Sequence, residues 1–469
     1  MVELLAEIER VAEVLQSPVT ILVVGIVIVI GMVVGLRMNA FIALVAGAVV
    51  VSRMSPGPWS ASVARVAEAF GTVVGKIGIV IALAAVIGKC LMDSGAADRI
   101  VRSFLQALGE KRSSLALMGS GFVLSIPVFF DTVFYLLVPL ARSLWRRTRK
   151  NYVLYVTAIS AGAAITHTLV PPTPGPLFMA NELNIDLGLM ILMGTLIGLP
   201  TALIGLPICR LFDRAMNLPM RPYVGEKELE PLPDDELPPL LLSLAPVVLP
   251  VVLISANTVA KAIGAVRAVT VTAVIGDPNL ALLLSAAIAM SLLVRYRGAS
   301  LAELGQATET ALMSGGVIIL ITAGGGAFGA MLREAGIEDV IQQYLNPNSR
   351  SAGVLILLTA FGVASLMKFA QGSGTVSMIT TVSMFAAMKI SPSMLGCHPV
   401  YLAAAIGCGS LVGSWMNDSG FWIYARMGNL TELESLRTWT ILLIVLGVIA
   451  LGITLVLSRL MPLLQFVGA

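Results

Sequence analysis

The sequence predicts an all-α polytopic membrane protein made of two inverted repeats, each with about five transmembrane crossings including a discontinuous helix, plus a re-entrant hairpin. Three observations predict it. Apolar runs long enough to cross a bilayer, about 20 residues each, recur along the whole chain. Small and apolar residues repeat at one constant separation of 241 positions, as Gly88, Gly95, Asp98, Ile100 and Gly121 do with Gly329, Gly336, Asp339, Ile341 and Gly362. Finally, residues 126–176 and 367–420 put proline, glycine and polar side chains at corresponding places in the two halves, where the flanking sequence is apolar helix.

Composition supports the first point. With 57% hydrophobic and 12% charged residues and a mean hydropathy of +0.93, the chain has too little polar surface for a soluble globule. Residues 1–18 carry Glu3, Glu7, Glu9 and Glu13 against Arg10, unlike the basic start of a signal peptide, and are expected to lie at an interface in the mature protein. Crossings are then expected at 19–36, 39–53, 74–92, 152–169, 186–209, 239–256, 279–294, 311–332, 398–412 and 438–458. Strand periodicity is not sustained anywhere, and glycines pepper the runs as at helix contacts in membranes. The net charge of +3, spread over loops, gives no reason to invoke nucleic acid. Cys90, Cys209, Cys397 and Cys408 show no ligand-like spacing and read as buried reduced thiols, so no metal and no cofactor are called for.

The repeats occupy 19–216 and 239–469. Between them, 217–238 forms an acidic linker: Glu226 to Pro239 alone holds six acids, one lysine and four prolines, the composition of an extended surface segment. Five crossings per half is an odd number, which forces the second half to enter from the opposite side. Arg99, Arg102, Lys111 and Arg112, with Arg142, Arg146, Arg147, Arg149 and Lys150, flank the first hairpin, and the positive-inside rule assigns that face to the cytoplasm. Both termini are then expected outside and the linker inside.

Two segments, 113–146 and 352–389, are too long for one crossing and too short for two, and read as re-entrant hairpins. The first tip, Ile126-Pro127-Val128-Phe129-Phe130-Asp131-Thr132, loses a donor at proline and places Asp131 deep in apolar sequence. Its alternative role is a helix cap, which serine would fill equally well. The second break runs from His167 through Val170-Pro171-Pro172-Thr173-Pro174-Gly175-Pro176, where a helix begun near Tyr152 must unwind and restart around Leu177. His167 is the side chain whose charge changes near neutral pH, or a packing residue between helices. Thr173 is a ligand donor or a loop filler. Lys368 to Thr375 tips the second hairpin, and its glycines let backbone N–H groups approach an anion at a helix start. Lys368 adds charge there unless it snorkels to an interface. The fourth break, Met416 to Trp422, offers Asn417 and Ser419 to a polyol and Asp418 as proton site or cap.

Ile126 to Asp131, His167 with Val170 to Pro176, Ala370 to Ser373 with Thr375 and Val376, and Asn417 to Trp422 resemble, in order and placement, the motifs of the gluconate permease family of gluconate:proton symporters. The resemblance implies uptake of gluconate or a related sugar acid with protons across a bacterial inner membrane. It also implies the ion-transporter architecture of paired hairpins and broken helices. Many members have histidine where Thr173 stands and arginine where Lys368 stands, so the contact to a carboxylate would here be a point charge. On this reading the carboxylate docks at Gln371, Gly372, Ser373 and Thr375 with Lys368. The substrate's hydroxyls meet Thr132, Thr173, Asn417 and Ser419, and Asp131, His167 or Asp418 carries the proton. Three alternatives stay open: a sodium-coupled carboxylate transporter, an intramembrane enzyme, for which HExxH and GxSxG are missing, and a channel. The partners expected are a small organic acid, protons and the lipid bilayer; the sequence leaves room for a homo-oligomer.

Overall fold

The computed structural model describes residues 17–221, 233–336 and 352–464, and all regular elements among them are helical. The first half comprises α1 (Pro18–Ile30, extended by a π turn to Gly35), α2 (Ala40–Met54), α3 (Ser62–Asp93), α4 (Ala96–Leu108), α5 (Ser113–Leu124), α6 (Phe130–Thr148), α7 (Tyr152–Leu169), α8 (Pro174–Glu182) and α9 (Leu187–Met216). The second comprises α10 (Leu240–Ala262), α11 (Val266–Ile275), α12 (Pro278–Arg297), α13 (Leu301–Glu334), α14 (Ala352–Gln371), α15 (Gly374–Ala387), α16 (Pro392–Leu395), α17 (Val400–Gly409), α18 (Ser419–Met427), α19 (Glu432–Ser435) and, after a π turn at Leu436–Thr440, α20 (Ile441–Leu460). Local chemistry sets many starts. Ser17 caps α1 ahead of Pro18, Asp277 caps α12 ahead of Pro278, and Ser300 with Glu303 forms a capping box on α13.

The long helices α3 and α13 pack along each other and tie the two halves together. At Gly324, Gly325 and Gly326, successive positions of α13 face different neighbours, as the roughly 100° step of a helix requires. A Cβ at Gly324 would touch Phe41 and Leu44 of α2, one at Gly325 would land on Ile379 of α15, and one at Gly326 would meet Val73 of α3 and Phe178 of α8. Deeper in the first half, Gly162 of α7 lies against the backbone of Met118 in α5, and Gly194 of α9 lies against the carbonyl of Leu169. Nearly every residue of α7 is buried, so this broken helix runs through the centre of the protein.

Eight helices among the described residues are long and apolar enough to cross a membrane: 59–93, 152–182, 187–216, 240–262, 278–297, 301–334, 353–371 and 432–460. Three of the expected crossings are not among them. The run at 19–36 is α1 with its π turn, Pro18 to Gly35, the run at 39–53 is the 15 residues of α2, and the run at 398–412 is cut to the 10 residues of α17 by the turn at Ser410. Conversely, α14 is expected from the sequence to be a re-entrant arm, yet its 20 residues span about 30 Å, against about 18 Å for the 12 residues of α5. The two hairpins therefore have unequal first arms. Arg142 is not a loop charge; it is buried within α6, with Nη2 donating to the carbonyl of Arg221 at 3.0 Å.

All four cysteines are free and buried. The expected interfacial segment lies outside the described residues except for Ser17 and Pro18, and so do residues 222–232 of the linker and the repeat positions Asp339 and Ile341. The linker's described end is packed rather than extended. Arg99 donates to the carbonyls of Pro238 at 2.8 Å and Asp234 at 2.6 Å, and Arg102 pairs with the Asp234 carboxylate.

Candidate functional site

Each break is built by its own local chemistry. In the first, α5 stops at Leu124, Pro127 cannot donate, and α6 restarts at Phe130 with Phe129 as N-cap and no capping side chain. Asp131 is thus not a cap. It stands half-buried in the first turn of α6 and makes no hydrogen bond or ion pair among the described residues. In the second, α7 ends at Leu169 and α8 restarts at Pro174, three residues earlier than expected because proline suits the first helical turn. His167 occupies the last turn of α7. Its Nδ1 is buried with no protein partner among the described residues, and its ring packs edge-on against Phe129 at 6.1 Å between centroids.

The third and fourth breaks interlock. Gly372 takes a φ of +82°, and a Cβ there would collide with the backbone of Asn417, so both its conformation and its closeness to the fourth break require glycine. Ser373 caps α15 by accepting from the amide of Val376 at 3.3 Å. Lys368 Nζ reaches the Gly372 carbonyl at 2.7 Å and Asp418 Oδ2 at 2.6 Å, with both side chains nearly fully buried. Asp418 also caps α18, accepting from the amide of Gly420 at 3.0 Å, and accepts from the hydroxyl of Ser414. Ser414 in turn accepts from Trp439 Nε1 at 2.7 Å, and the Trp439 ring packs on Phe130 with centroids 4.9 Å apart. A continuous chain of contacts therefore runs from the third break through the fourth to the first.

These breaks surround one cavity of about 400 Å³, within the range of roughly 300–1,000 Å³ usual for small-molecule sites. Asp131, Thr132, His167, Lys368, Ser373, Thr375, Asp418 and Ser419 all line it. Thr173, Gln371, Gly372 and Asn417 do not. The Thr173 hydroxyl is turned back onto the carbonyl of Val170 at 2.6 Å, and the Asn417 amide donates to the carbonyl of Phe369 at 2.7 Å, so both hold the shape of their breaks. Gln371 leaves its Oε1 buried without a protein partner among the described residues. The sequence reading missed Thr168, Ser314, Ser410 and Trp439, which complete the wall. Hydroxyls at Ser314 and Ser410, each next to glycine inside an apolar run, were the only signal. No group of histidine, cysteine and carboxylate side chains that could hold a metal occurs among the described residues.

A second cavity of about 280 Å³ adjoins the first, sharing Phe129, Thr132 and Ser314 with it. The half-exposed ion pair of Lys89 and Asp93, at 2.9 Å, stands in its wall.

Comparison with known proteins matches residues 17–460 to the model of the GntP family permease. A gluconate permease of Pseudomonas aeruginosa is 33% identical over 90% of this chain and 93% of its own length. A low-affinity gluconate transporter of Escherichia coli is 30% identical over 88% of this chain and 92% of its own. In three dimensions the chain is similar to the YdaH transporter of Alcanivorax borkumensis, with a TM-score of 0.63 at 14% identity, covering 90% of this chain and 98% of that one; this likeness is one of fold.

Proposed function

The chain belongs to the GntP family of permeases, and from that premise we propose that it takes up gluconate or a closely related sugar acid together with protons across a bacterial inner membrane. It is a multi-pass membrane permease, not an enzyme. The observation that carries the substrate reading is the meeting of Asp131, Lys368 and Asp418, from both halves of the chain, in the wall of one cavity.

In this reading the substrate carboxylate lies at the start of α15, where the amides of Gly374 and Thr375 and the positive end of the helix favour an anion. The Lys368 ammonium supports it from beneath. Hydroxyls of Thr132, Ser314 and Ser419 meet the polyol, while Thr173, Gln371, Gly372 and Asn417 act by holding the breaks open. Asp418 already has three donors on its oxygens and serves as counter-ion to Lys368. That leaves Asp131, with His167 nearby, as the free acceptor for the coupled proton.

Charge explains why a proton should accompany the anion. With both carboxylates ionised and the histidine neutral, the lining side chains carry one net negative charge. An anionic substrate would raise this to two inside a medium where charge is costly, and a proton on Asp131 removes the excess. The two halves, 19–216 and 239–469, act as inverted repeats in this reading, with the basic face and linker in the cytoplasm, both termini outside, and access alternating by movement of one packed unit against another. The recurrence of break, hairpin and long helix in each half supports it.

The test is uptake of labelled gluconate into proteoliposomes. An inward pH gradient should drive accumulation, an uncoupler should collapse it, and replacing sodium should leave it unchanged. Accumulation that ignores both pH and uncoupler would overturn proton coupling, and dependence on sodium would favour the sodium-coupled alternative.

A further inference from the structure

A third cavity, of about 230 Å³, opens where the starts of α5 and α7 meet the last turns of α9. It lies about 18 Å from His167 along α7, reckoned from Tyr155 at 1.5 Å per residue, and shares no residue with the central cavity. Of its lining side chains only Leu154 is aliphatic. Lys111, Arg210 and Arg214 supply three cations, and none of them makes an ion pair among the described residues. The single acid, Asp213, is occupied in accepting from the backbone amide of Leu154 at 3.1 Å.

Two further observations point to a ligand. Ser114 and Tyr155 are 5% and 3% exposed, line this cavity, and make no hydrogen bond among the described residues. The two side chains are buried while their hydroxyl oxygens stay accessible, so both open onto this polar space and are available to a group inside it. The start of α5 also opens here, while the start of α7 is already met by the Asp213 carboxylate. Two arginines four residues apart on one helix face, a lysine and two hydroxyls form a donor set suited to a tetrahedral oxyanion with several acceptor oxygens.

We propose that this cavity is a binding site for a phosphate group, carried either by a soluble phosphorylated compound or by an anionic lipid headgroup. Arg210 and Arg214 hold the phosphate oxygens, Lys111 closes the mouth, and Ser114 and Tyr155 donate from the buried wall. The site is distinct from the transport cavity and does not depend on which substrate that cavity accepts.

The experiment uses the full chain purified in neutral detergent. Inorganic phosphate is titrated by calorimetry against chloride of equal ionic strength, and in parallel the lipid retained from nanodiscs of phosphatidylglycerol or phosphatidylcholine is read by native mass spectrometry. Wild type should bind phosphate saturably, with affinity falling at least tenfold in Arg210→Gln/Arg214→Gln and by a smaller factor in Ser114→Val, which keeps the charges and guards against misfolding of the double variant. Selective retention of phosphatidylglycerol that both variants lose, without binding of free phosphate, supports the site with a lipid as its source. Absence of both, or binding equal in wild type and the variants, overturns it.

Discussion

Lys368 and Asp418, fifty positions apart in sequence, form a buried ion pair at 2.6 Å that joins the tip of one hairpin to the gap of a broken helix. Such a pair is costly to desolvate, and removing one member strands the other. Its placement at the wall of the central cavity makes it the main electrostatic feature of the site.

Lys368→Met and Asp418→Leu should therefore each destabilise the protein by roughly 3–5 kcal/mol, while the double variant should recover most of that loss. Thermal melts of the four proteins measure the coupling. Gluconate uptake should be absent in all three variants, since the double change restores packing but not the ammonium. Equal melting losses that simply add would show that the pair does not act as a unit.

Asp131→Asn should retain fold and expression, because Asp131 caps nothing and pairs with nothing among the described residues. Uptake driven by a pH gradient should fall at least tenfold, while exchange of internal for external gluconate, which needs no net proton movement, should persist. If Asp131→Asn accumulates substrate as wild type does, the proton belongs to another group, and His167→Gln is then the variant to compare.

Gly372→Ala combines a strained left-handed φ with a collision against the backbone of Asn417. Overpacking of this kind costs typically 1–3 kcal/mol, and strain at a positive φ adds to it. The expected result is a folded protein with a lowered melting temperature and little uptake, whereas Gly452→Ala, with open space around it, should change neither.

The linker end gives a pH prediction. The Arg102 guanidinium hydrogen-bonded to Asp234 holds its carboxyl below the ordinary carboxylate range. A depressed folded pKa contributes stability above the unfolded value, near 3.9, and that stability is lost as pH falls through the folded value. Protection of residues 233–238 from hydrogen exchange, extrapolated for intrinsic rate, should thus hold at neutral pH and vanish only below about pH 4. In Asp234→Asn it should be reduced at neutral pH as well.

The positions of the breaks were legible because proline and glycine act locally: Pro127, Pro174 and Gly372 each dictate backbone where they stand. Eight of the twelve residues expected at a site line the central cavity for the same reason, being neighbours of those breaks. Thr173 and Asn417 could not be sorted from Thr132 and Ser419, since only three-dimensional packing decides whether a hydroxyl or amide faces inward or satisfies a nearby carbonyl. The partnership of Lys368 with Asp418 and the approach of Ser314 from α13 are long-range contacts with no periodic signature. Helix length misled where apolar sequence continued past a turn, as at Ser410.

The three consecutive glycines of α13 act as sockets at one level of a single rod, seating α2, α15, and α3 with α8 on different sides. A rod keyed on three sides cannot slide past any one neighbour without unseating a side chain already lodged in its backbone. α15 is thereby mechanically yoked to α13, and under the alternating access proposed above any sliding surface would have to run around this cluster, not through it.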